Sequence, residues 1–245
     1  MSGLEFVRFL YEDEHIIVAS KPEKLAVHPS GLCRDRRTLL SLVRNKGGGE
    51  HVYPVHRLDK PTSGPVLFAR SPEICRKLQE QFTEKTIKKK YLCLARGWTD
   101  RQGSIDLPLK KPENGTMQEC LSTYHCLSHV EWDHPFGPHE TTRYSLLSMT
   151  PVTGRFHQLR RHLRDISHPM IGDTTHGDSR HNRFFRQQFG LKRLILHCYF
   201  LGFQHPVSGQ SISIDLPPDQ SLCHLFVSLK IDDLLNKLKE SLHDL

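Results

Sequence analysis

The chain has 245 residues, 37% hydrophobic and 25% charged, the balance of a folded globular protein with room for a large core. No apolar run approaches membrane-spanning length, and the acidic opening "MSGLEFVRFLYEDEHIIVAS" lacks the apolar stretch of a signal peptide, so neither a membrane nor a secreted protein is expected. The formal charge of +7, with a pI of about 9.1, points to a polyanionic partner.

In chain order, "HIIVASKP" reads as a strand closed by a proline, and "LAVHPSG" as another closed by a turn. "NKGGGEH" at 45–51 is a flexible loop without the Gly-Lys-Ser/Thr ending of a phosphate-cradling loop. "HRLDKPTSG" leads into the strand "PVLFA". Ser71 followed by Pro72 and Glu73 then predicts a capped helix over 71–85, with Ile74, Leu78 and Phe82 along its apolar side. "KKKYLCLARGW" is apolar on both faces and suits a central strand. "RYSLLSMTP" is a strand that runs into "VTGRFHQLRRHLRDI", where Leu159, Leu163 and Ile166 form a helical stripe and Arg160 and Arg164 share another face. "LKRLILHCYFLGFQHP" and "SISIDLP" are further strands. A helix over about 221–242 closes the chain, with Leu234, Leu235, Leu238 and Leu242 on one side. Strands outnumber helices without alternating with them, which predicts an α+β fold with a mixed or mostly antiparallel sheet.

The seven cysteines contain no C-x-x-C pair and several stand inside apolar runs, as free thiols of a reducing cytosol do. Basic residues gather in four groups: Arg34 to Lys46, Lys85 to Lys90, Arg155 to Arg164, and Arg180 to Arg193. One such group is ordinarily a solvated face; four favour a nucleic-acid surface. In an extended segment Val55, Arg57 and Asp59 share one side and His56 and Leu58 the other, so a buried Leu58 would turn the two charges toward a groove. A surface hairpin with an ion pair fits the same spacing.

"HRLDKPTSG" resembles the His-Arg-Leu-Asp-x-x-Thr-Ser-Gly signature of the RluA-type pseudouridine synthases, with every fixed position present. "VASKPEKLAVHPSG", "KKKYLCLARG", "PVTGRFHQLRRHLRDISHPMIGDTTHG" and "RLILHCYFLGFQHPVSG" resemble the family's other motifs in the expected order, so the resemblance runs from about residue 14 to 215. It implies one catalytic domain over 1–245, without a preceding S4 RNA-binding domain, in a pseudouridine synthase fold of two lobes with a central active-site cleft. The implied reaction isomerises uridine to pseudouridine in RNA with no metal and no other cofactor. Asp59 matches the catalytic carboxylate, as nucleophile or base, and Arg160 the cation that favours its ionised form. Arg155 is the lesser candidate for that cation. Tyr91 matches the ring that stacks on the flipped base, although a core strand aromatic is the bland reading. Arg57 matches the residue that occupies the vacated space. Leu196 supplies an apolar wall, and His56, Arg155 and Arg161 complete the substrate-binding set. Arginines and backbone N–H groups at a helix start after "TG" would suit phosphate. His157 and His162 read as packing or hydrogen-bonding residues.

"HQLRRHL" and "THGD" are similar to the TruC branch, which modifies uridine 65 of certain tRNAs, with ribosomal RNA as the alternative substrate. Pro65 departs from the aliphatic residue usual at that position. The expected partner is therefore tRNA, met in the cytoplasm by a monomer with no membrane and no obligate protein partner. Two rivals stand beside this reading. His168, Asp173, His176, Asp178 and His181 could hold a divalent metal for phosphodiester hydrolysis, although they match no standard ligand spacing. A non-catalytic RNA-binding module is the other.

Overall fold

The computed structural model describes residues 7–29, 37–136, 140–231, 233 and 238. The first elements are β1 (Phe9–Glu12), β2 (Ile16–Lys21), α1 (Leu39–Lys46), β3 (Tyr53–Pro54), β4 (Gly64–Ala69) and α2 (Pro72–Thr83). Next come β5 (Lys88–Arg96), β6 (Gln102–Asp106), β7 (Leu109–Lys110), β8 (Met117–Gln118), β9 (Leu121–Trp132) and β10 (Thr142–Pro151). The last are α3 (Gln158–Asp165), α4 (Ser179–Phe189), β11 (Leu196–Gln204), β12 (Ser211–Asp215) and α5 (Gln220–Ser228). The chain packs as two compact units, Met1–Lys89 with Cys198–Leu216 and Lys90–His197 with Pro217–Leu245.

In the first unit an antiparallel sheet has the order β1-β2-β4-β3. Every residue of β2 and β4 is buried, which explains the apolar runs "IIVA" and "PVLFA", and β2 also buries Ser20 and Lys21. β11 and β12 pair antiparallel from Phe200 opposite Asp215 to Gln204 opposite Ser211. Ile16, Val18, Leu67 and Ala69 form the core with Ile74 and Leu78 of α2 and with Leu201, Phe203, Ile212 and Ile214. α2 starts as its sequence demands. The Ser71 hydroxyl accepts the Ile74 N–H and Pro72 takes the first turn, where its missing donor costs nothing. α1 has a reciprocal cap between Thr38 and Ser41, and Leu39 and Leu40 donate their free N–H groups to the carbonyls of Ala26 and Val27.

In the second unit β10 is flanked by β5 and β9, with Met149 opposite Tyr91 and Tyr144 opposite Arg96 on one side. β6 extends this antiparallel sheet beyond β9, and β7 and β8 form a separate short ribbon. The fold is α+β with antiparallel pairing, as the pattern of elements predicts.

Four expectations need correction. "LAVHPSG" forms no strand over its described residues 25–29, because the carbonyls of Ala26 and Val27 serve the start of α1. The expected terminal helix is interrupted after Ser228, where Lys230 turns left-handed (φ 57) and the N–H groups of Lys230 and Ile231 close back on Val227 and Phe226, and Leu238 is again helical. Leu234, Leu235 and Leu242 lie outside the described residues, and Leu238 is buried. The alternation through 55–59 also fails. Val55 and Leu58 are both buried, Arg57 is exposed and Asp59 half-buried, because the chain bends at Val55 and His56. Finally, the helix after "TG" begins only at Gln158, and the Arg155 N–H is already taken by the Gln158 side-chain oxygen.

Gly64 has φ of +146, and a Cβ there would stand 2.4 Å from Cys198 Cβ and 2.8 Å from the Cys198 carbonyl oxygen. Gly64→Ala therefore combines a strained backbone with a collision against another strand, and denaturant unfolding should show a loss on the order of 3 kcal/mol. A variant as stable as the wild type would mean that β4 and β11 can separate at this point at little cost.

Candidate active site

The signature segment runs from just after β3 into the first residue of β4, and its residues from Arg57 to Thr62 belong to no strand, so side chains hold much of it. Val55 N–H donates to the Leu67 carbonyl at 3.0 Å, and the Leu67 N–H donates to His56 Nε2 at 3.1 Å. The imidazole thus replaces one backbone acceptor that a longer β3 would supply. Its ring also packs on Phe82, with centroids 5.1 Å apart. Burial, with the nearby Lys89 ammonium, pushes His56 down to about 3, which keeps Nε2 unprotonated and free to accept the Leu67 N–H.

Beyond the bend, the Asp59 carbonyl accepts the Thr62 N–H at 3.0 Å and closes a tight turn. The Lys60 carbonyl in that turn accepts from Lys21 Nζ at 3.1 Å, and the same ammonium donates to Pro22 O at 3.0 Å and Leu25 O at 2.7 Å. Lys21 is only 1% exposed. The Ser63 carbonyl is then bonded by the Cys198 N–H at 2.8 Å. The segment that carries Asp59 is therefore tied to β2, β4 and β11 by named groups, all within the first unit.

Tyr91, Leu196, Arg155, Arg160 and Arg161 belong to the second unit. Tyr91 is buried in β5, and Leu196 is buried at the start of β11. Arg160, 3% exposed on α3, holds Asp173, 1% exposed, through two parallel bonds: Nε to Oδ2 at 2.7 Å and Nη2 to Oδ1 at 2.8 Å. Oδ1 of Asp173 also accepts the Thr175 and His176 N–H groups. Burial alone would raise the Asp173 pKa. The Arg160 bonds, the His176 and Thr175 N–H groups and the Arg160 charge outweigh it and hold the carboxyl below its usual range. The paired grip fixes the plane of the guanidinium, including the direction of Nη1.

α3 buries an unusual set of polar residues. Gln158 donates to the Leu121 carbonyl and the Ser122 hydroxyl, and accepts from the Thr153 hydroxyl. His162 bridges the Ser122 hydroxyl and the Leu107 carbonyl. His157 Nδ1 lies 3.0 Å from His176 Nε2. Arg155 and Arg161 reach the carbonyls of Glu119 and Lys110.

The five residues weighed as metal ligands are engaged elsewhere. Asp173 holds Arg160, Asp178 caps α4 and pairs with Arg96 at 2.6 Å, and His181 Nδ1 lies 3.0 Å from the Tyr144 hydroxyl. His168 Nδ1 lies 2.7 Å from the Arg96 carbonyl, and His176 contacts His157. Among the described residues, no group of three or more His, Cys, Asp or Glu is arranged to hold a metal ion. No helix among them is long and apolar enough to cross a membrane. Sequence reasoning gave Lys21 no role beyond its place in "VASKP", and weighed Asp173 only in the metal alternative without finding its partner Arg160. The signals for Lys21 were its place in a family-like motif and a lysine closing a mostly apolar strand, "IIVASK".

Two outcomes follow. Asp173→Ala removes the carboxylate opposite a buried guanidinium and should cost about 3–5 kcal/mol in chemical denaturation; a loss under 1 kcal/mol would mean that water relieves the charge. The unfolded chain protonates His56 near 6.5 and the folded chain only near 3, so stability falls as pH drops through that window. His56→Gln keeps an acceptor and removes the proton uptake, so its stability should fall less steeply there; equal slopes would clear His56 as a source.

The RNA pseudouridylate synthase family matches residues 15–165. A curated relative named tRNA pseudouridine synthase C, from Vibrio parahaemolyticus, is 36% identical over 241 residues, 94% of this chain and 98% of its own. Its namesake from Yersinia pestis is 40% identical over 218 residues, 85% of each chain. In structure, human RNA Pseudouridylate Synthase Domain Containing 1 aligns with TM-score 0.70 over 94% of this chain and 97% of its own. Human RNA Pseudouridylate Synthase Domain Containing 4 aligns with TM-score 0.71 over 91% and 92%. Both are 21% identical to this chain and speak to the fold alone. By the reach of the family match and the identity of these relatives, the chain belongs to the RNA pseudouridylate synthase family.

Proposed function

We propose that this protein isomerises uridine to pseudouridine in tRNA, at uridine 65, acting as one catalytic domain and as a monomer in the cytosol. The observation that carries this reading is the intact "HRLDKPTSG" segment, braced by buried side chains, in a chain 36–40% identical to proteins named tRNA pseudouridine synthase C.

The isomerisation neither gains nor loses an atom. The bond between ribose C1′ and uracil N1 breaks, the base turns over, and C1′ is joined to C5; C5 gives up its proton and N1 gains one. The protein therefore has to position groups and stabilise charge. Asp59 is the catalytic carboxylate, as nucleophile or as base toward the ribose. Arg160 keeps it ionised, with its guanidinium plane held by Asp173. Tyr91 stacks on the extruded uracil and Leu196 helps to keep water from the detached base. Arg57 fills the space the base leaves, and Arg155 and Arg161 contact phosphate. His56 serves the site by holding the segment in place.

The test incubates the full-length protein with unmodified tRNA, in buffer containing EDTA, and maps pseudouridine at single-nucleotide resolution. Conversion of one uridine by the wild type and none by Asp59→Asn, with tRNA affinity within about twofold, is the expected result. Conversion only of ribosomal RNA fragments would reassign the substrate, and turnover by Asp59→Asn would remove the carboxylate from the chemistry.

A further inference from the structure

Two aromatic side chains among the described residues stand out as exposed, Trp98 and Phe156, each at 41%. Trp98 is occupied: its indole N–H donates to the Val130 carbonyl, His129 stacks on it, and the Arg143 guanidinium lies 4.2 Å from its centroid. Phe156 differs. His157 is stacked on it with centroids 3.7 Å apart and planes at 19°, and among the described residues no other ring or cation packs on it.

The backbone holds Phe156 in this exposed position. His157 has a left-handed conformation (φ 51, ψ 30) at the cap of α3, where its side chain caps no N–H of the helix. A non-glycine residue there is uncommon and costs free energy, so the rest of the structure must hold it. His157 Nδ1 lies against His176 Nε2, the His176 N–H donates to Asp173, and Asp173 grips Arg160. The ring pair is thus the outer end of a hydrogen-bonded chain that starts at the proposed catalytic arginine. The surroundings are cationic. Arg155 precedes Phe156, and Arg161 Nη1 bonds both Lys110 O and Phe156 O. Arg164 pairs with Asp165, and Arg155 Nε donates to the Glu119 carbonyl.

A rigid, half-open aromatic ring set among guanidinium groups matches what single-stranded RNA binds: one π-face for a base and cations for the flanking phosphates. We propose that Phe156, seated on His157, is a stacking platform for one unpaired base of the substrate RNA, with Arg155 and Arg161 on the adjacent phosphates. This rests on the tRNA-modifying reading above and adds a positioning residue to it.

The test measures tRNA binding and pseudouridine formation for the full-length wild type, Phe156→Ala, Phe156→Leu and Phe156→Trp, after thermal melts confirm that each variant is folded. Loss of one stacked base weakens binding about 5- to 160-fold. Phe156→Ala and Phe156→Leu should both raise Kd and KM by such a factor while kcat at saturating tRNA stays within about twofold of wild type. Phe156→Trp should bind at least as tightly as wild type. Retained affinity in Phe156→Leu with loss in Phe156→Ala would make the ring a packing element and overturn the proposal. So would wild-type affinity in both. A wild type that makes no pseudouridine yet loses RNA affinity in these variants would leave the platform standing and sink the enzymatic reading instead.

Discussion

Lys21 is taken out of water almost completely, and its ammonium donates to three carbonyl oxygens, of Pro22, Leu25 and Lys60. An ammonium in such a place is tolerable only if its donors are satisfied, so the three carbonyls cannot drift without stranding a charge. One of them belongs to the residue after Asp59. The turn that carries the carboxylate is in this way coupled to the end of β2, although no strand pairing reaches it. The His56 ring and the back-to-back approach of Gly64 and Cys198 hold the same segment from β4 and β11. Irregular backbone is ordinarily the mobile part of a fold; here it is restrained at three points within one unit.

The second unit solves a similar problem with an ion pair. Replacing a buried pair such as Arg160 with Asp173 by apolar groups is often neutral for stability, so its presence calls for a reason other than stability. Orientation is that reason. A guanidinium gripped along one edge has a fixed plane, whereas a lysine at the same position would swing on a flexible stem. The hydrogen-bonded chain continues from Asp173 through His176 to His157, so the setting of Arg160 and the left-handed cap of α3 depend on each other.

Much of the fold was legible where burial writes an apolar pattern. β2, β4 and β5 are buried nearly throughout, and Ser71-Pro72 announces α2 in its own chemistry. β9 escaped notice because only Ser122 and Val130 of its twelve residues are buried, so its sequence "LSTYHCLSHVEW" has no continuous apolar face. α1 escaped because Thr38 and Ser41, its cap, look like loop residues between an arginine cluster and three glycines. α4 was hidden in the His/Asp-rich run, where Asp178 is a cap. At the site, the residue types were legible and their partners were not. Nothing in "GDTTHGD" says that Asp173 lies opposite Arg160, because a carboxylate suited to a metal is equally suited to a guanidinium. The hydrophobic stripe of α3 was right for Leu159 and Leu163, yet Arg160 and His162 are buried beside them, which hydropathy cannot anticipate.

The charged side chains buried among the described residues, apart from histidines, are Lys21, Lys90, Arg160, Asp173 and Arg193. Each stands inside one of the segments that carry the family resemblance: "VASKP", "KKKYL", "HQLR", "IGDTT" and "RLILH". Removing a charge from water is expensive, and a fold seeking only stability would confine such groups to its surface. Their concentration in these segments means that the motifs encode more than the few atoms proposed to meet the substrate. A carboxylate or guanidinium has to be held within a fraction of an ångström to be useful in a reaction that relies on positioning, and apolar packing alone has no directional bonds with which to do it. Lys21 shows the point most simply. It has no proposed contact with RNA, yet the place of Asp59 depends on it as directly as on any residue of the signature itself.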